Sequence, residues 1–198
     1  MTLLWLTLAC APDLRDYDGD GIPDVANGDT SDTSDTGDTS DTPTGPQDRI
    51  TSTDEGDGVT HVLVDATNGG EWVYFGFWSP VEIASTDDWT MAFARYHVMT
   101  DGGASGTGGV EVAVLEGQDF DTLTEAPTEG WITDTAKDLA MDAWFDYDAK
   151  THYVTAGDRT LVVHDGDYWK LRFLEYYDDH GNGGYIQFKW ATLAPPPT

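Results

Sequence analysis

The chain has 198 residues and a mass of 21.6 kDa, enough for one domain with its own hydrophobic core. Thirty-seven carboxylates against nine Lys and Arg give a formal charge of −28 and a pI near 4.1. That balance excludes nucleic acid as a partner and electrostatic adsorption to anionic lipid, since both need clustered Lys and Arg. A solvated acidic surface is its plain consequence.

The chain opens on an apolar run, Met1 to Ala9, that ends in a small residue and the single cysteine, Cys10. One cysteine allows no intrachain disulfide. Its place at the end of the run fits a bacterial lipoprotein signal over residues 1–10, with Cys10 acylated after cleavage. Thr7 stands where leucine is usual, and no Lys or Arg precedes the run. No other stretch reaches the ~18 apolar residues that span a bilayer, so the expected membrane anchor is lipid.

Residues 11–48 carry almost no large apolar side chains, and from Asp29 to Thr42 an Asp recurs every third residue. Such a segment buries too little surface to offset its chain entropy, and a disordered acidic tether is expected, with a mean reach of roughly 35 Å. Within it, Asp16, Asp18, Asp20 and Asp24, with Gly21 for the sharp turn and the Ile22 carbonyl as main-chain ligand, have the spacing that wraps oxygens around Ca²⁺. The loop resembles a single thrombospondin type 3 repeat. The alternative is one more acidic patch in an acidic linker.

Apart from Trp5 and Tyr17, every aromatic ring lies beyond residue 71, so the core belongs to the C-terminal domain, residues 49–198. Period-2 patterns predict strands at 60–65, 71–78 and 89–98, with a turn at Asn68 to Gly70. The glycine-dense stretch 101–109 reads as a loop. Near the C-terminus, 160–164 and 168–177 form a predicted hairpin around Asp165-Gly166, and 185–190 follows after a turn at 178–184. There Trp169, Leu171 and Phe173 alternate with Lys170 and Arg172, and Ile186, Phe188 and Trp190 with Gln187 and Lys189. Helical periodicity is confined to a short turn around Thr135 to Met141. The expected class is all-β, antiparallel.

Several runs resemble the HmuY family in consistent order over residues 60–191. They are Asp65 to Phe75; Asp88 to Val98 with the Gly/Ser-rich loop that follows; Trp144-Phe-Asp-Tyr147; Leu161 to Tyr177; and Gly184 to Phe188. The resemblance implies a haem-binding, haemophore-like surface lipoprotein of a Gram-negative outer membrane, on the cell surface or periplasmic face. Haem or another porphyrin is the implied ligand, iron acquisition the implied role, and an outer-membrane receptor a further partner. It also implies two axial donors from the segment between the Gly-rich loop and the late aromatic strand, here Val110 to Ala143.

That segment contains no histidine, and its one thioether is Met141. Iron porphyrins take imidazole or thioether donors in an apolar slot. Met141 is therefore one candidate axial ligand. His152 is the other; His61, His97, His164 and His180 read as solvated or structural. Arg95, alone in an apolar strand, calls for an ion pair. Trp131 and Trp144 flank the expected site and either stack on a flat ligand or belong to the core. No nucleophile elbow, Cys/His pair or metal cluster points to an enzyme, and the Asp142, Asp146 and Asp148 group reads as an acidic strand edge. The alternative function is a surface β-domain that has lost haem ligation and binds a glycan or a protein.

Overall fold

The computed structural model describes residues 46–197. Cys10, the acidic repeat and the calcium loop of Asp16, Asp18, Asp20, Ile22 and Asp24 lie outside the described residues. Within them the chain forms β1 (Ile50–Gly56), β2 (Val59–Asp65), β3 (Val73–Phe75), β4 (Met91–Ala94), β5 (His97–Thr100), β6 (Glu111–Glu116) and β7 (Trp131–Ile132). A 3-10 turn, Ala140–Trp144, then leads into β8 (Phe145–Asp148), β9 (Tyr153–Ala156), β10 (Arg159–His164), β11 (Tyr168–Tyr177) and β12 (Gly183–Thr192). No described residue is α-helical.

Seven strands make one antiparallel sheet in the order β1-β2-β12-β11-β10-β6-β7. β3, β4 and β5 form a second sheet, and β8 with β9 a separate hairpin. The alternation read from the sequence governs the large sheet: Leu171, Phe173, Ile186 and Phe188 are buried on one face, while Lys170, Arg172, Gln187 and Lys189 point away. The small sheet packs on the apolar face. Phe93 stacks on Phe188 with centroids 5.7 Å apart, and Phe75 meets Phe188 edge-on at 5.5 Å. Val62, Val64, Val112, Leu161 and Val163 complete this main core from the sheet side. The other face is covered in part by a smaller cluster of Ala113, Ala126, Val162 and Leu193. There Lys170 donates to the carbonyls of Phe120 and Leu123, at 2.7 and 2.8 Å, pinning the loop that crosses the sheet.

Three expectations change in detail. The predicted strand 89–98 is a hairpin: Ala94 pairs with His97, and Arg95-Tyr96 makes the turn, with Arg95 at φ 53°. Glycine or asparagine usually signals such a turn, and neither is present. Tertiary contacts hold it instead, for the Arg95 amide donates to Ala66 O at 2.8 Å. The Arg95 guanidinium reaches the carbonyls of Thr67 and Gly183 rather than a carboxylate, so the expected ion pair gives way to main-chain contacts. Finally, the strand expected at 71–78 shortens to Val73–Phe75, because the chain turns at Gly76, whose carbonyl accepts from Ser79 N, to bring Phe77 face to face with Trp169 at 4.6 Å.

Candidate functional site

The segment expected to carry iron donors is locked into the body of the domain by two aspartates. Asp134, itself buried, accepts from Thr100 N through Oδ2 and from Ala140 N through Oδ1, both at 2.8 Å. Asp142 accepts from Val98 N at 3.0 Å, and its other oxygen lies 2.7 Å from His97 Nδ1. Together they fix the 3-10 turn against β5 and turn its apolar side inward. Met141 is 0 % exposed and Trp144 1 %. The Trp144 indole stacks on Phe173 at 4.8 Å and donates to Tyr96 O at 2.9 Å. Both are core side chains here, and neither lines a surface. Asp142, read as a strand-edge acid, instead ties the turn to His97.

Immediately after Trp144 the chain leaves the core as the β8–β9 hairpin. Its base is anchored: Gly157 N donates to Trp144 O at 2.9 Å, and Arg159 reaches Asp146 at 2.8 Å. Phe145 pairs with Ala156, and Tyr147 with Val154, so these four share the face that turns toward the main core. Phe145, Val154 and Ala156 pack there. Tyr147, one turn of the pleat farther out, overhangs the body and is 52 % exposed.

The loop Ala149–His152 closes the hairpin. The Asp148 carboxylate accepts from Lys150 N at 2.8 Å, and Asp148 O accepts from His152 N at 2.8 Å. Hydrogen bonds from Lys150 N and the Thr151 side chain hold the Asp148 carboxyl below the usual carboxylate range. The loop ends with His152 in the left-handed region at φ 57°, a conformation that costs a non-glycine residue of order 1 kcal/mol. From there the imidazole reaches across the tip, and its Nδ1 lies 2.6 Å from the Tyr147 hydroxyl. On the hairpin's other side Tyr153, 49 % exposed, stacks on Tyr177 at 4.3 Å. Tyr177 accepts from Val154 N, and burial raises its phenol above the ordinary value.

The remaining aromatic candidate lies elsewhere. Trp131 pairs with Ala113 on the opposite face of the large sheet, 5.9 Å from both His164 and Tyr168, which stack on each other at 4.4 Å. The four haem candidates thus occupy three places: Met141 and Trp144 in the core, Trp131 on the far face, His152 at the hairpin tip. Tyr147 is a neighbour of His152 that the sequence candidates do not include. The signal for it was present, since tyrosine and histidine five residues apart across a four-residue loop become neighbours once β8 and β9 pair.

On the same far face, a cleft of about 490 Å³ opens between the β1–β2 turn and β12. Glu55, Asp57, Asp121, Lys170 and Lys189 supply its polar lining, and no imidazole or thioether borders it. Both lysines sit over the Phe120 ring, at 4.7 and 4.3 Å from its centroid. This cleft does not fit an iron porphyrin, which needs a donor and an apolar slot. The hairpin tip offers accessible donors and aromatic surface.

Comparison with known proteins agrees with this architecture. The family model described as HmuY protein matches residues 68–164. Among solved structures, a Bacteroides fragilis protein named "putative lipoprotein" aligns with a TM-score of 0.57 and 19% identity, over 71% of this chain and 92% of its own. A Bacteroides vulgatus protein named "putative HmuY_like heme binding protein" gives 0.55 and 20%, over 71% and 94%. The apo HmuY analog of Tannerella forsythia gives 0.52 and 13%, over 75% and 97%. No curated protein matches the sequence. The fold is the one these neighbours share, and residues 68–164 carry the signature of the HmuY family.

Proposed function

We propose that this protein is a non-enzymatic, haem- or porphyrin-binding surface lipoprotein that presents its ligand-holding groups on the β8–β9 hairpin. The observation that carries this reading is the accessible Tyr147–His152 pair, held at 2.6 Å on the β8–β9 hairpin, whose strands pair with neither larger sheet. Support comes also from the family signature and from the neighbour whose name refers to heme binding. His152 remains the imidazole candidate; Met141 sits on the wrong side of the protein surface to share a ligand with it. Anchoring through Cys10, outer-membrane placement, release of cargo to a receptor and Ca²⁺ binding in the tether belong to the same proposal and rest on the sequence. Haemin titrated into the full chain tests it: a saturable Soret shift is expected, and a spectrum that only sums free haemin and protein contradicts it.

A second reading is favoured by one feature, the 490 Å³ cleft with its mixed-charge lining. Carboxylates and ammonium groups around an open depression suit a polar ligand such as a glycan. Glycan binding perturbed by Lys189→Ala, in a chain that ignores haemin, would select it.

A further inference from the structure

We infer that the cleft beside Lys170 and Lys189 is a site for short free peptides. The terminal carboxylate of the peptide meets the lysines, and its terminal ammonium meets Glu55 and Asp57. The inference is independent of haem binding; it builds on the second reading of the cleft and replaces the glycan by a zwitterion.

The cleft holds about 490 Å³, within the range of small-molecule sites. Its cations are fixed in place. Lys170 Nζ donates to Phe120 O and Leu123 O, at 2.7 and 2.8 Å, which leaves one N–H of its three. Lys189 Nζ spends one N–H on Asp121 Oδ1 at 3.2 Å and keeps two. Both ammonium groups lie over the same Phe120 ring, 4.7 and 4.3 Å from its centroid. Burial pushes Lys170 below the ordinary lysine value; Asp121 opposes the shift and the Lys189 charge adds to it. Two like charges are thus held close together. Asp121, the carboxylate that Lys189 touches, is 75 % exposed, so a ligand carboxylate can take its place at little cost.

The anions come from a different element. Glu55 and Asp57 sit in the β1–β2 turn, both exposed, and neither has an ion pair or hydrogen bond among the described residues. The turn is well defined: Asp54 accepts from Gly56 N at 2.8 Å, and Asp57 and Gly58 adopt positive φ. Val59, just beyond it, pairs with Ala191, and Ala191 pairs with Lys170, so turn and lysines share one end of the sheet.

The cleft therefore presents both signs of charge from separate elements. A simple anion meets Glu55 and Asp57 in a chain of net charge −28, and a simple cation meets two ammonium groups. A neutral sugar displaces water from both sets and pairs with neither. A molecule with an ammonium at one end and a carboxylate at the other answers both and is neutral overall. A single amino acid carries the two charges on one carbon. A peptide of two or three residues separates them by roughly 7–10 Å when extended.

Titration calorimetry on the full chain tests this with trialanine, its N-acetyl and C-amide derivatives, and maltotriose. Trialanine is expected to saturate at one per chain. Blocking either terminus should weaken binding about tenfold, the scale of one hydrogen bond to a charged group. Lys189→Gln should weaken trialanine about tenfold yet leave the C-amide unaffected, because the contact it removes is already missing there. Asp57→Asn keeps a residue tolerant of the left-handed turn and should weaken trialanine while leaving the N-acetyl form unaffected. Asp121→Asn should tighten trialanine by releasing Lys189. Thermal melts matching wild type show that each variant is folded. Equal affinity for trialanine and both blocked forms overturns the inference, as does the absence of saturable heat from trialanine. Maltotriose binding lost in Lys189→Gln, with no heat from trialanine, overturns it while the glycan reading stands. The haemin titration is decided separately from all of these.

Discussion

Arg49 and Glu82, thirty-three residues apart, meet in a two-point contact: Arg49 Nη2 lies 2.6 Å from Glu82 Oε1, and Nε 3.1 Å from Oε2. The same carboxylate accepts from the amides of Gln47 and Arg49, both at 3.0 Å. Glu71 takes the remaining guanidinium arm at 3.1 Å. The segment that enters the domain is thereby strapped across the loop after β3, just before β1 begins.

This strap gives stability a definite pH dependence. Burial alone would raise the Glu82 carboxyl, but hydrogen bonds from the Arg49 side chain and from the Arg49 and Gln47 amides outweigh it and hold it below the ordinary glutamate value. A carboxyl with a depressed folded-state value binds protons more readily when unfolded. Its contribution is complete above the unfolded value and disappears as pH falls through the folded one. Thermal melts from pH 7 downward should therefore show a loss beginning near about pH 5. In Glu82→Gln, stability at pH 7 should fall by about 3 kcal/mol, as for a broken buried pair, and that part of the acid slope should flatten. Melts of the variant that parallel wild type at every pH would contradict this account.

The main core predicts two contrasting substitutions. Phe188, fully buried, meets Phe75, Phe93 and Phe173, so Phe188→Ala should cost about 3–5 kcal/mol by urea unfolding. Met141→Leu preserves volume at a sealed site and should cost less than about 1.5 kcal/mol. A large loss from Met141→Leu would mean that the thioether makes a bond the packing does not describe.

Strand existence was legible where alternation was strict and the turn chemistry ordinary, as in β10, β11 and β12. It failed at Arg95, where an arginine occupies a left-handed turn position through contacts from Ala66, Thr67 and Gly183 that no local pattern announces. β1 carries no strand signal in the sequence, because its outer residues, Thr51 to Glu55, have no apolar alternation; pairing with β2 defines it. For the site, His152 could be singled out as a candidate by elimination. That Tyr147 stands against it depends on the register of β8 with β9 and on the loop between them. The burial of Met141 follows from Asp134 and Asp142, whose main-chain partners are 34 and 44 residues away.

For the N-terminal segment, Cys10→Ser should move the protein from the membrane fraction to the soluble fraction of the producing cell, and unchanged fractionation would refute acylation. A peptide spanning residues 13–28 should show saturable heat on adding Ca²⁺. A flat trace would dispose of the calcium loop.

The most direct measurement is the absorbance difference on adding haemin stepwise to the full-length chain. A Soret change that saturates at one haemin per protein, and that fails to develop fully when Tyr147 is phenylalanine, is the predicted result. A difference signal that rises linearly without saturation, identical in wild type and variant, would contradict porphyrin carriage by the β8–β9 hairpin.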